Sequence, residues 1–365
     1  MLRLRTLLKI LLAVVPGALS ALNDPAKKTK DLFVVDFAST NRGGCQNVGE
    51  AAMDGMIKDC LTLAQAGLKA IDEHGSKPEA ARLLTAFFTI PSIPLQAADL
   101  ANIKARYETV RNWLQQGGPT DDGRQPNKPH LYCYHEWLDK KTFRDPALDN
   151  NGQPVKNNRG TVQTFGDVYP ANVNSGVIPY WSPQFKVVVW DSDYGDPAGG
   201  IGGYCHAADS AAATSHQPTA SVITLCPSSY GGANPLPRTP AIMGPRSVAA
   251  NAVANDVVKR TKKGNQALPD IYPTAVTLFH ELFHLILGND KTTMTGSTAE
   301  QYIVARMIKL RLANSLRNPE TFTAVAAAYD FTSNTPADSS GNRVEFSTGW
   351  ATQGLGSSIY SVCHL

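Results

Sequence analysis

The chain has little surplus of either charge. Its 34 Lys and Arg residues and 31 Asp and Glu residues give a formal net charge of +3 at pH 7. Three of the positive charges, on Arg3, Arg5 and Lys9, lie at the very start, so the remainder is near neutral. Binding to nucleic acid requires a concentrated basic surface, whereas the basic residues here are scattered apart from the short run 259–263. We therefore expect no nucleic-acid partner.

A hydrophobic run long enough to cross a membrane is also lacking. A spanning helix needs about 20 apolar residues, and the apolar run Ile10 to Val15 is much shorter. That run follows a basic start and precedes small residues at a cleavage site after Ser20, which is the pattern of a secretory signal peptide. We expect residues 1–20 to be this signal peptide, with no membrane partner, and residues 21–365 to form a single secreted, extracellular domain.

No two cysteines form a C-x-x-C pair, which argues against a cysteine zinc site or a thioredoxin-like redox centre. A secreted chain reaches an oxidising environment, in which disulfides form and persist. Six cysteines allow up to three disulfides, and their pairing cannot be deduced from the sequence. They are Cys45, Cys60, Cys133, Cys205, Cys226 and Cys363.

Helical and strand patterns occur in different parts of the chain. Apolar residues recur at helical spacing over 49–71, 80–88 and 98–114, and these helices predict a packed N-terminal unit. Strands are predicted at 185–190 and 221–227. This order predicts an α+β fold, divided into a helical part (45–118), a loop-rich segment (119–183), a catalytic part (184–335) and a tail (336–365).

The most informative motif is H-E-x-x-H at residues 280–284, inside an almost wholly apolar stretch. Residues four apart share one face of a helix, so His280 and His284 can bind a single Zn²⁺. Glu281 stands beside them, where a carboxylate can act on water as a general base. Ionisable residues are rarely buried unless they are paired or bind metal, which favours one Zn²⁺ per chain.

A catalytic zinc needs a third protein ligand, and two acids are candidates. Asp290 follows His280 by ten residues, the spacing at which metzincin-type peptidases place their third ligand, although a helix-capping turn would explain it equally. Glu300 lies in a helix predicted over about 298–316, on a face shared with Ile303, Val304, Met307 and Ile308. An acid on an apolar face needs a partner, and the metal would supply one.

The chain resembles the fungal secreted deuterolysin-like zinc metallopeptidases, the aspzincins, which include lysine-specific endopeptidases. Four segments carry this likeness. They are a cysteine followed by a long Ala-rich helix (45–71), Leu-Cys-Pro at the end of a strand (225–227), the H-E-x-x-H helix (280–284) and an Asn-x-acid-x-aromatic segment (318–322). The resemblance implies a zincin-like fold with a small sheet and an N-terminal helical unit.

The family motif G-T-x-D-x-x-Y supplies a ligating Asp and a Tyr that stabilises the oxyanion. The best frame here is 296–302, in which Ala299 takes the ligand position and Glu300 follows it directly. The resemblance implies that Tyr302 donates a hydrogen bond to the oxyanion. Lysine-specific members use paired acids for the substrate ammonium, but this chain offers Glu320 and then Thr323, so lysine preference is not expected.

These features predict a secreted zinc endopeptidase that acts on proteins or peptides as a monomer, with Glu281 and Tyr302 as catalytic residues. The ligands would be His280, His284 and either Glu300 or Asp290. The alternative is a catalytically inactive zinc-binding or surface protein on the same fold, for which the altered G-T-x-D-x-x-Y segment is the main support. Glu281 argues against it, because a zinc-binding protein without catalysis needs no general base.

Overall fold

The computed structural model describes residues 25–88, 97–195, 203–206, 210–230, 267–296, 299–334, 344–349 and 352–353. The predicted signal peptide and Cys363 lie outside these residues, as does most of the predicted tail. Within them, no helix is both long enough and apolar enough to cross a membrane.

Five long helices form the helical part of the described structure. They are α1 (Glu50–Asp72), α2 (Pro78–Phe88), α3 (Ala97–Gln116), α4 (Val276–Leu287) and α5 (Pro319–Asn334). Shorter helices span Thr29–Leu32, Phe165–Val168, Pro227–Tyr230, Asn289–Thr292, Val304–Met307 and Leu312–Ser315. The first three long helices confirm the three helices predicted from the spacing of apolar residues, with bounds that agree to within two residues at each end.

The N-terminal helices do not form a unit of their own. Helix α1 packs against α3 and α5, and α3 and α5 both pack against α4. One continuous core results, with Leu63 of α1, Phe279 and Phe283 of α4 and Phe322 of α5 all buried in it. The H-E-x-x-H helix is therefore surrounded by helices that are distant in the sequence.

Three small sheets complete the mixed α+β architecture. The first has the order β1 (His130–Tyr132), β6 (Ser221–Leu225), β5 (Ala212–His216), in which β1 runs parallel to β6 and β5 antiparallel. The second is antiparallel, with β2 (Asp139–Lys140), β3 (Val177–Ser182) and β4 (Val187–Ser192). A hairpin joins β7 (Val344–Glu345) to β8 (Thr352–Gln353). Strand β5 packs against α4 and forms one edge of the first sheet.

The prediction of a loop-rich segment at 119–183 is wrong at its end, where β3 forms. Pro179 obscured this strand, because proline cannot donate to a ladder. In the structure the sheet needs no N–H group from Pro179. On the β2 side this residue is bonded through its carbonyl, which accepts from the backbone N–H of Lys141 at 2.9 Å. Strand β5 was also missed, since its sequence Ala-Ala-Thr-Ser-His has little β-propensity of its own and depends on pairing with β6.

Two disulfides are present among the described residues. Cys45 pairs with Cys133, which joins the segment before α1 to the end of β1, and Cys205 pairs with Cys226 at the end of β6. Cys60 is a buried free thiol within α1. Of the three disulfides that six cysteines allow, two are thus formed within the described residues.

Helices α1 and α3 approach closely at Gly67 of α1, which faces the ring of Tyr107 in α3. A Cβ atom at position 67 would overlap that ring, whereas a Cβ at Gly55 of the same helix would meet no atom within 4 Å. Tyr107 cannot withdraw easily, because its hydroxyl donates to the Phe322 carbonyl of α5 at 2.6 Å.

We expect Gly67→Ala to lower the free energy of unfolding by about 1–3 kcal/mol, the usual cost of overpacking. Gly55→Ala, the matched control, should raise it by roughly 0.5–1 kcal/mol through helix propensity. Urea denaturation of the two variants measures the difference. An equal stabilisation by both substitutions would contradict the packing of α1 on α3.

Candidate metal centre

Helix α4 is buried along almost its whole length. Of its twelve residues only His284 is partly exposed. The helix ends where Gly288 adopts φ 75°, and a tight turn from Thr120 to Gln125 then closes over this end. The backbone N–H groups of Asp121 and Asp122 donate to the carbonyls of Leu285 and Ile286 at 2.8 and 2.9 Å. Carbonyls that a helix C-terminus leaves unpaired are thereby satisfied.

His280 and His284 lie one turn apart on α4, with ring centroids separated by 5.2 Å. Both direct Nε2 at the carboxylate of Glu300. The distance is 3.3 Å from His280 Nε2 to Glu300 Oε1, and 3.4 Å from His284 Nε2 to Glu300 Oε2. The structure therefore brings together the two predicted histidines and the first of the two acid candidates.

The other ring nitrogen of each histidine is hydrogen-bonded to a side chain from outside helix α4. Nδ1 of His280 lies 3.0 Å from Glu320 Oε2, and Nδ1 of His284 lies 3.0 Å from Thr292 Oγ1. The Thr292 hydroxyl donates its own proton to the Gly288 carbonyl at 2.9 Å, so it accepts from His284. Both imidazoles thus carry a proton on Nδ1, which leaves the lone pair of Nε2 for a metal ion.

Glu300 does not lie on a helix, and the predicted helix over 298–316 is wrong. Only Val304–Met307 and Leu312–Ser315 are helical there. The reason is Asn318, whose side chain accepts from the Gln301 backbone N–H and donates to the Gln301 carbonyl, both at 3.0 Å. Because these backbone groups are satisfied by a side chain, the segment stays non-helical and carries Glu300 over the histidines.

The three side chains fit a metal ion. Ligand atoms of His280, His284 and Glu300 all lie within 4.8 Å of one another, and this is the one such group among the described residues. Glu300 Oε1 is buried and has no hydrogen-bond partner in the described part of the chain. Burying a polar atom without a partner is costly, and a cation between the three groups would remove that cost.

Without a metal ion, the cluster binds a proton instead. Burial lowers the pKa of His280, but the charge of Glu300 and the hydrogen bond to Glu320 outweigh it and raise the pKa to about 10. For Glu300 burial raises the pKa, and the charge of His280 outweighs it and lowers the pKa to about 2. Both shifts favour a charged imidazolium and carboxylate where a metal would bind.

The second acid candidate lies outside this group. Asp290 is on the surface, with its side chain 70% exposed and paired with Arg124. Its backbone carbonyl accepts from Arg317 at 2.8 Å. Asp290 belongs to the short helix Asn289–Thr292 that follows Gly288, and it contributes no atom to the group formed by His280, His284 and Glu300.

Tyr302 stands at the mouth of the centre. Its ring stacks on that of His280, with centroids 5.6 Å apart, and its hydroxyl donates to Glu300 Oε2 at 2.8 Å. Burial of the hydroxyl end and the charge of Glu300 raise its pKa, so the phenol keeps its proton and can donate a hydrogen bond. The residue as a whole is 59% exposed, which leaves one side of it accessible from solvent.

Glu281 is buried beside the ligands and contacts a residue that the sequence did not point to. The hydroxyl of Thr214, in the edge strand β5, donates to Glu281 Oε2 at 2.7 Å. Thr214 and Thr292 were missed because a lone threonine carries no motif. The sequence gives Glu320 only the role of receiving a substrate ammonium. In the structure it holds His280, and the Thr323 hydroxyl donates to the Pro319 carbonyl of its own helix.

In comparisons with protein-family models, with curated proteins and with solved structures, no match to the chain is found. The resemblance to the aspzincins therefore stays a prediction. The geometry of the centre stands independently of it.

We expect Glu300→Gln to weaken Zn²⁺ binding by more than roughly 100-fold. Glu320→Gln should weaken it by about 10–100-fold, which is the usual loss of affinity when the hydrogen-bond partner of a metal ligand is removed. Asp290→Asn should leave the affinity unchanged, because Asp290 is on the surface. Competition with a chromogenic chelator gives the three constants. Weaker binding in Asp290→Asn than in Glu300→Gln would assign the third ligand to Asp290.

The affinity for Zn²⁺ should rise with pH. The raised pKa of His280 means that below pH 10 the metal-free centre holds a proton that the metal must displace. Between pH 6 and 8 we expect up to about a tenfold gain per pH unit for each proton displaced. Calorimetric titration with Zn²⁺ in two buffers of different ionisation enthalpy counts the protons. Binding without proton release would contradict the arrangement of Glu300 and Glu320 around His280.

Proposed function

We propose that the protein is a zinc-dependent endopeptidase. The observation that carries the proposal is the convergence of His280, His284 and Glu300 on one point, with Glu281 on the same helix as the histidines. A structural zinc site would be closed by four protein ligands and would need no base, whereas a hydrolase needs three ligands, an open position and a base beside them.

Zinc is the metal that suits these ligands best. Two imidazole nitrogens and one carboxylate are a frequent ligand set of catalytic zinc, which keeps one further position open. Bound there, the ion would act as a Lewis acid, lowering the pKa of water and polarising a carbonyl group. The same three residues, without cysteine, disfavour a closed structural site.

The chain's own residues supply the proton transfers. Glu281 accepts a proton from water as the water oxygen bonds to the carbonyl carbon of the substrate, and then passes it to the leaving amine nitrogen as the carbon–nitrogen bond breaks. Tyr302 is a neutral donor beside Glu300, and we assign it the hydrogen bond to the developing oxyanion. Glu320 and Thr292 keep the two imidazoles oriented.

A peptide is the substrate that the surroundings of Glu281 accommodate. Among the described residues, strand β5 pairs only with β6 and is the edge of its sheet, so an extended peptide could add to its other side by backbone hydrogen bonds. Thr214 on this strand contacts Glu281, which would bring such a peptide to the base. A peptide bound along its backbone is cut by an endopeptidase without a requirement for a free terminus.

Secretion and a monomeric state belong to the same proposal. Two disulfides within the described residues fit an oxidising, extracellular destination. Residues 1–20 have the sequence pattern of a signal peptide.

The test is Glu281→Gln in the purified mature chain. We expect about one Zn²⁺ per chain in both the wild type and the variant, with casein cleavage lowered about 10²–10⁴-fold in the variant because the base is lost. Glu50→Gln is the matched control, since Glu50 is on the surface at the start of α1 and pairs with Lys30. It should cleave like the wild type.

Other results would change the assignment. Zinc in a wild-type chain that cleaves no protein would favour the inactive zinc-binding protein. Undiminished cleavage by Glu281→Gln would remove Glu281 from the mechanism. A chain that binds no zinc would contradict the metal centre itself.

A further inference from the structure

Glu281 is fixed by a neighbour from outside its own helix. The hydroxyl of Thr214 lies 2.7 Å from Glu281 Oε2 and 3.2 Å from the Glu281 backbone carbonyl. A hydroxyl has one proton, and the shorter, charge-assisted bond to the carboxylate is the stronger one. Among the described residues, the Glu281 carboxylate receives this one hydrogen bond.

Thr214 is itself held rigidly. It lies in the middle of β5 and pairs with Ile223 of β6, a buried residue of the core. Its β-branched side chain has few rotamers, so a fixed backbone also fixes the direction of the hydroxyl. The hydroxyl is therefore presented to Glu281 from a paired strand and not from a mobile loop.

We propose that Thr214 is a positioning residue, which anchors Glu281 Oε2 so that Oε1 is the oxygen that receives the proton of the attacking water. This role rests on the proposed peptidase function. Thr214 keeps its own proton throughout, while Glu281 takes a proton from water and releases it to the amine nitrogen. A glutamate with a free carboxylate would spend part of its time rotated away from the water, and geometric errors of this kind are costly in catalysis.

The edge strand has two roles under this proposal. Its outer side pairs with no strand of the described part of the chain and could receive an extended substrate, and its Thr214 side chain holds the base. A substrate that pairs with β5 is thereby aligned with the same element that orients Glu281.

The kinetic test compares Thr214→Val with Thr214→Ser. Valine keeps the shape and removes the hydroxyl, so we expect kcat to fall roughly 10-fold, with KM within about twofold and Zn²⁺ affinity unchanged. Serine restores the hydroxyl and should return kcat to within about threefold of the wild type. Thr109→Val is the matched control, because Thr109 is on the surface of α3 and its hydroxyl bonds only to the Ala105 carbonyl of that helix.

A second measurement does not depend on activity. In urea unfolding of the zinc-free chain, Thr214→Val and Glu281→Leu form a double-mutant cycle, because leucine removes the acceptor that glutamine would keep. We expect their effects on the unfolding equilibrium constant to differ from independence by roughly 3–10-fold, since the two side chains share one hydrogen bond. Thr109→Val with Glu281→Leu should be independent.

The results separate the two proposals. Independence of Thr214→Val and Glu281→Leu would overturn the contact, and an unchanged kcat in Thr214→Val would overturn its role in catalysis. A fall in kcat that serine does not restore would show a packing effect and would also overturn the role. A wild-type chain that cleaves nothing overturns the peptidase function and with it the catalytic role, and the unfolding cycle then still reports whether the contact exists.

Discussion

The arrangement of the centre depends on the burial of three ionisable side chains on one helix, α4. His280 and Glu281 are almost fully enclosed, and His284 is largely so. Each must have a polar partner, because an unpaired charge in an apolar core costs several kcal/mol, on the order of 3–5. Apart from Thr277, the other buried residues of helix α4 are apolar, so the partners described above come from other segments.

The partners come from four segments that are far apart in the sequence. Strand β5 provides Thr214, the turn after α4 provides Thr292, the segment before Val304 provides Glu300, and the start of α5 provides Glu320. The packing of α1, α3 and α5 around α4 places these segments. The metal centre is therefore a product of the whole core, and a substitution as remote as one at Gly67 acts on the same packing that aligns it.

Prediction from the sequence succeeded where a local pattern also decides the structure. Helices α1, α2 and α3 were found because each has an apolar face that repeats at helical spacing. It failed where a distant partner overrides local preference. The Asn318 side chain takes the backbone bonds of Gln301 that a helix would have used, and β6 gives a strand to a segment with little tendency to form one.

The sequence by itself determined that His280 and His284 share one face and that Glu281 adjoins them, because four residues make about one helical turn. It also determined that these residues are buried, because the surrounding residues are apolar. Only the tertiary structure brought Glu300 and not Asp290 to the histidines, turned Glu320 towards His280 and brought Thr214 to Glu281. Those contacts join residues from 16 to 67 positions apart, and only the packing of helices and strands brings such residues together.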